Sequence, residues 1–147
     1  MPKIDFYILA KSNEKARLHF ACRLIEKIYK QNFSIYIHTQ DTTHAHALDE
    51  LLWTYRDDSF LPHNLIGEEL YPAPPIQIGF TEASPKKHRD ILLNLSNQVP
   101  VFYAQFSRVL ELVINIPNEQ EAARVRYRSY RTAMHSIQTH KLESVEV

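Results

Sequence analysis

Two hydrophobic rhythms alternate along the first half of the chain. "KIDFYILA" (Lys3 to Ala10) is apolar at nearly every position and rich in β-forming residues, the pattern of a strand covered on both faces. The stretch "SNEKARLHFACRLIEKIYKQN" then places Leu18, Cys22, Ile25 and Tyr29 at helical spacing behind a Ser12/Asn13 cap. "FSIYIHT" reads as a second strand, and Asp41 is positioned to cap a helix through "HALDELLWTY", whose apolar stripe is Leu48, Leu51, Leu52 and Tyr55. Strand, helix, strand, helix in this order predicts an α/β fold with parallel neighbours and right-handed crossovers.

The second half is more broken. "LPHNLIGEELYPAPPIQ" carries Pro62, Pro72, Pro74 and Pro75, which excludes a helix and predicts an ordered loop. "IQIGF" reads as a short strand, "SPKKHRD" as a charged turn and "DILLNLS" as another strand. "PVFYAQFSR" reads as a short helix with Pro100 near its first turn, and "VLELVINI" as a strand. A last helix is predicted from near Asn118 through "EQEAARVRYRSYRTAMHSI", with residues 139–147 as a frayed tail. No repeat, low-complexity tract or linker interrupts the chain. Residues 1–147 are therefore expected to form one three-layer α/β/α domain on a mostly parallel sheet.

Composition narrows the function classes. The 17 basic residues balance the 17 acidic ones, so no global field draws the protein to DNA or to an anionic membrane. Gly67 and Gly79 are the only glycines, whereas phosphate-cradling loops use several to bring backbone N–H groups close to a ligand. A phosphate-binding loop of that kind is therefore not expected. Cys22 cannot form an internal disulfide, and no signal peptide or long apolar run is visible, so a reduced, cytoplasmic protein is expected.

No residue presents itself as catalytic. His44 and His46 are two apart, which on a helix points them to different faces, and no third metal ligand has suitable spacing. Cys22 falls on a buried stripe and reads as a core thiol. Ser59 and His63 bracket a proline turn without an identifiable oxyanion device, so capping or turn hydrogen bonds account for them better than a nucleophile and base. Glu68 and Glu69 read as a solvated pair. Neither a metal nor another cofactor is expected.

Binding chemistry is better represented. On the last helix Arg124, Arg128 and Arg131 share one arc, Ala123, Tyr130, Met134 and Ile137 another, and Tyr127 lies at the seam. Guanidinium groups bind carboxylates bidentately, and an adjacent apolar recess can desolvate a ring. Glu119 and Glu121 look too early in the helix to neutralise these arginines. One short basic stripe is a poor match to an extended phosphate track, so direct binding of DNA is not favoured. Trp53 at the end of the second helix, with Phe60 and Pro62 in the following loop, reads equally as a loop packed onto the core or as a second surface, since large aromatics outside the core dominate protein interfaces.

"ALDELLW" followed by "SFLPHN" resembles the "LDE-x-LW" and "SF-x-PHN" signature of the chi-subunit family of bacterial DNA polymerase III holoenzyme. "FYIL", "RDILLNL" (Arg89 to Leu95) and "ARVRYRSYR" (Ala123 to Arg131) agree in order and spacing, and the similarity runs from Phe6 to Met134. The resemblance implies a Rossmann-like fold without a phosphate-binding loop and a non-catalytic accessory subunit of the clamp-loader assembly in DNA replication. One surface would bind the psi subunit or, in its place, a helicase-like repair partner. Another would bind the acidic, Phe-terminated tail of single-stranded DNA-binding protein, so that DNA is contacted only indirectly. By position, Trp53 and Phe60 match the psi-type interface, while Arg124 and Tyr127 match the tail site, with Arg128 and Arg131 adding positive charge nearby. Gln120 stands where the family often has a lysine, a departure that implies either weaker tail binding or compensation by Arg128.

Overall fold

A computed structural model describes residues 2–55, 60–66, 74–83 and 90–142. Seven strands form one sheet: β1 (Lys3–Leu9), β2 (Ile35–His38), β3 (His63–Leu65), β4 (Ile76–Gly79), β5 (Ile91–Asn94), β6 (Arg108–Val113) and β7 (Ile137–Leu142). Their order is β3-β4-β2-β5-β6-β1-β7, and every pairing is parallel. Three α-helices accompany them: α1 (Glu14–Lys30), α2 (Thr42–Thr54) and α3 (Pro117–Thr132).

Alternation along the strands builds two cores. Ile35, Ile37, Ile91, Leu93, Leu110 and Leu112 face α1 and α2. Ile4, Phe6, Tyr36, Leu92, Val109 and Val113 face α3, together with Phe102 and Phe106 from the connection before β6. The expected three-layer α/β/α architecture is therefore present. The predicted caps also form: the Asn13 side chain accepts from the Ala16 N–H at 2.8 Å, and Asp41 from the His44 N–H at 2.9 Å.

Four sequence expectations need correction. The segment read entirely as a loop contains β3, too short for its three residues to show a period, and paired to β4. "PVFYAQFSR" forms only a single 3-10 turn, Tyr103–Gln105. The last helix stops at Thr132 instead of running to Ile137. Met134 takes φ 67°, its N–H reaches the Arg131 carbonyl, and the His135 N–H reaches the Tyr130 carbonyl. This is a Schellman ending without the glycine that usually announces one. Residues 139–142 belong to β7, in register with Phe6 to Leu9, and are not frayed; residues 143–147 lie outside the described residues.

A clasp holds that edge strand. Asp5, buried in β1, accepts from Arg108 Nε at 2.7 Å and lies 3.0 Å from His140 Nε2, while the His140 ring stacks on Tyr7 with centroids 4.7 Å apart. Burial opposes ionisation of Asp5, but the hydrogen bonds and charges of Arg108 and His140 outweigh it and keep the carboxyl below the usual carboxylate range.

Candidate functional site

The carboxyl ends of β2, β4 and β5 are where an open α/β sheet places a ligand. His38, Thr81, Glu82, Ser96, Gln98 and Phe102 line a cavity of about 190 Å³ there, below the roughly 300–1,000 Å³ of ordinary ligand pockets. Gly79 is already used for packing: a Cβ at this position would collide with the hydroxyl of the fully buried Tyr36. Gly67, Ser59, Glu68, Glu69, Pro72 and the "SPKKHRD" turn from residue 84 to 89 lie outside the described residues.

The other candidates for chemistry have structural partners. Cys22 is fully buried, and burial pushes its thiol up to about 12. His44 Nδ1 sits 2.7 Å from its own cap, Asp41 Oδ1. Among the described residues, no group of three or more His, Cys, Asp or Glu could hold a metal ion.

Of the candidates the sequence offers, two surfaces remain among the described residues, at opposite edges of the sheet. At the β3 edge, the loop entering the strand divides its apolar residues. Leu61 is buried, Pro62 is half-buried and Phe60 is 68 % exposed. Phe60 packs beside Trp53, itself 52 % exposed, with ring centroids 5.7 Å apart. The buried His63 fixes the arrangement. Its Nδ1 lies 2.6 Å from the Leu61 carbonyl, its Nε2 lies 3.2 Å from both the backbone and side-chain oxygens of Asp49, and its ring is 4.3 Å from Trp53. His63 thus serves the turn, as its position in the sequence suggests, and keeps two large rings in solvent.

At the β7 edge, α3 lies over the sheet and leaves a recess of about 470 Å³. Phe6, Ile8, Val113 and Ala123 give it an apolar floor, and Tyr127, tilted against Phe6 at 5.5 Å, forms part of its wall. Arg124 and Gln120 line it from α3, Thr139 and Lys141 from β7. Arg128 and Arg131 are exposed on the same helix but do not line the recess.

The arginines of α3 therefore divide. Arg126 is buried, donating through Nε to Glu111 Oε1 at 2.9 Å and through a terminal nitrogen to the Asn97 carbonyl at 3.2 Å. Glu111, with no exposed surface, also accepts from Asn94 at 2.9 Å and from the Tyr130 hydroxyl at 2.6 Å. Burial raises the Glu111 pKa against the pull of these partners. Arg126 is structural, whereas Arg124 meets solvent.

Arg124 also corrects an expectation, because Glu121 does reach it: the pair lies at 3.1 Å, three residues apart, with both side chains 62 % exposed. An exposed pair of this kind contributes little and is screened by salt, so it leaves the guanidinium available to a better-desolvated carboxylate. Lys141 was hidden from the sequence reading by its place in the supposed tail. "IQTHKL" offers little signal that could find it, because only Ile137 and Leu142 are apolar and its half-buried positions, Ile137, His140 and Leu142, do not keep a strict alternation.

Comparison with known proteins agrees with this architecture. Residues 1–138 match the family model described as DNA polymerase III chi subunit, HolC. The DNA polymerase III subunit chi of Pseudomonas aeruginosa is 39% identical over 145 residues, covering 99% of this chain and all of that one. The subunit chi of Escherichia coli is 29% identical over 143 residues, covering 95% and 97%. Among solved structures, domain 2 of the Mss116p DEAD-box helicase superposes with a TM-score of 0.63 at 11% identity. That match covers 96% of this chain and 64% of the other, a likeness of fold alone. Fold, motifs and relatives agree: the chain belongs to the chi-subunit family of DNA polymerase III.

Proposed function

We propose that this subunit is a non-catalytic bridge within the clamp-loader assembly, working in the cytoplasm and meeting DNA only through other proteins. The psi subunit covers Trp53, Phe60 and Pro62, and a repair helicase competes for the same rings where such a partner exists. The acidic tail of single-stranded DNA-binding protein docks at the other edge. Its terminal Phe enters the recess beside Tyr127, and its carboxylates meet Arg124, with Arg128 and Arg131 adding positive potential nearby.

The observation that carries this reading is the recess itself: an apolar floor large enough for an aromatic ring, rimmed by Arg124 and Lys141 and with no acidic lining residue among the described residues. Each tail contact is modest, but several tails on one coated strand raise the effective concentration, so a weak site suffices to hold the assembly at the template.

Titration with a synthetic acidic peptide ending in Phe tests the reading. The wild type binds, and Arg124→Ala binds about tenfold or more weakly, as expected for a charge-assisted hydrogen bond of about 1.5–3 kcal/mol. Unchanged affinity would remove Arg124 from the site. Heat released on titration with ATP or NAD would favour a nucleotide enzyme instead, and retention of bare oligonucleotide on a filter would favour direct strand binding.

A further inference from the structure

The recess has two walls, and the tail contacts assigned above, to Arg124 and Tyr127, all come from α3. We infer that Lys141, on β7, is a second tail-binding cation acting from the sheet side, so that the carboxyl-terminal strand forms half of the site. The inference rests on the tail-binding reading and extends it.

Register supplies the geometry. Val113, Ile8 and Lys141 are partners across β6, β1 and β7, and Phe6 and Thr139 are partners two residues earlier along the strands. In-register neighbours in a parallel sheet share a face, so Lys141 stands on the same face as the apolar floor and beside it. His140 points the other way, into the clasp with Asp5 and Tyr7, which fixes which residues of β7 face α3. Lys141 is exposed and has no ion pair among the described residues, whereas Arg124 is engaged by Glu121. Among the described residues, an incoming carboxylate therefore displaces no intramolecular partner at Lys141. Gln120, on the helix wall, adds hydrogen bonding but no charge. A peptide held between α3 and β7 would thus meet cations from both walls, with its apolar side chain between them.

The test uses the intact chain and the acidic peptide ending in Phe, with Arg124→Ala as the reference variant. Lys141→Gln is expected to weaken binding about threefold to tenfold and Lys141→Glu by more than tenfold, with unchanged thermal midpoints. Both variants should also flatten the dependence of affinity on salt, which a purely structural role for β7 would not do. If both bind within twofold of wild type while Arg124→Ala is weakened, the inference falls and the tail site stands. If the wild type itself fails to bind, the tail-binding reading falls and takes the inference with it.

Discussion

At the β3 edge, two aromatic rings stand in solvent on a histidine pedestal; at the β7 edge, cations rim an apolar recess. The strands bounding these surfaces are six spacings apart, about 29 Å at roughly 4.8 Å per spacing, and α2 and α3 cover opposite faces. The difference lies in the source of binding energy. Rings such as Trp53 and Phe60 gain by leaving water, a gain that salt does not screen, and suit a lasting partner. Arg124 and Lys141 gain by charge-assisted contact, which salt weakens and which suits an exchangeable one. Separation by the width of the sheet would let both be occupied together, as the proposed bridge requires.

The most disruptive way to break the comparison is to release α3 from the sheet. Arg126→Met leaves the Glu111 carboxylate buried with only Asn94 and Tyr130, and removal of one partner from such a pair costs about 3–5 kcal/mol. Chemical denaturation should register a loss of that order, and tail binding should fail with it. Arg128→Met, on the exposed face of the same helix, should leave the denaturation midpoint unchanged. Equal effects from the two would contradict the division of the arginines described here.

Next in size is Trp53→Ala. As half of an exposed aromatic pair, Trp53 is expected to contribute about 2 kcal/mol or more to partner binding, roughly a thirtyfold loss on truncation. Co-purification should lose the small psi-like protein while peptide titration at the other edge stays within twofold of wild type. Loss of both activities would mean that the edges are coupled through the fold. Salt then compares the edges without mutation: raising it from about 50 to 500 mM should weaken peptide binding about tenfold and change psi binding less than twofold. Parallel curves would end the distinction between a hydrophobic edge and an electrostatic one.

Much of this arrangement was legible in the sequence, and the failures have physical causes. Long periodic segments and side-chain caps announced β1, α1, β2 and α2, because Asn13 and Asp41 act on backbone only three residues away. The exposed rings were legible as residues but not as a surface, since only folding separates Leu61 inside from Phe60 outside. The last helix was overextended because Met134 takes a left-handed conformation that its side chain does not advertise. The same error concealed β7, an edge strand whose only apolar residues are Ile137 and Leu142 and which therefore resembles a polar tail, and with it Lys141. Helical spacing alone could not tell Arg126 from its neighbours: what buries it is Glu111, fifteen residues earlier and in the middle of the sheet.

The smallest expected effect sharpens the electrostatic side of the comparison. Gln120 lines the recess one turn before Arg124, and its side-chain amide donates to Asn115 Oδ1 at 3.1 Å across an exposed surface. Gln120→Lys gives up that weak hydrogen bond and adds a third cation to the rim. A rim charge acts largely through encounter rate and is partly screened, so a gain of about twofold to fourfold in peptide affinity at low salt is expected, fading as salt rises. Stopped-flow measurement should place most of the gain in the association rate, whereas Arg124→Ala should act mainly on dissociation. A gain that survives high salt, or appears in the dissociation rate, would mean that the new lysine reaches a desolvated carboxylate, and the helix wall would then extend deeper than Arg124 and Tyr127 define it.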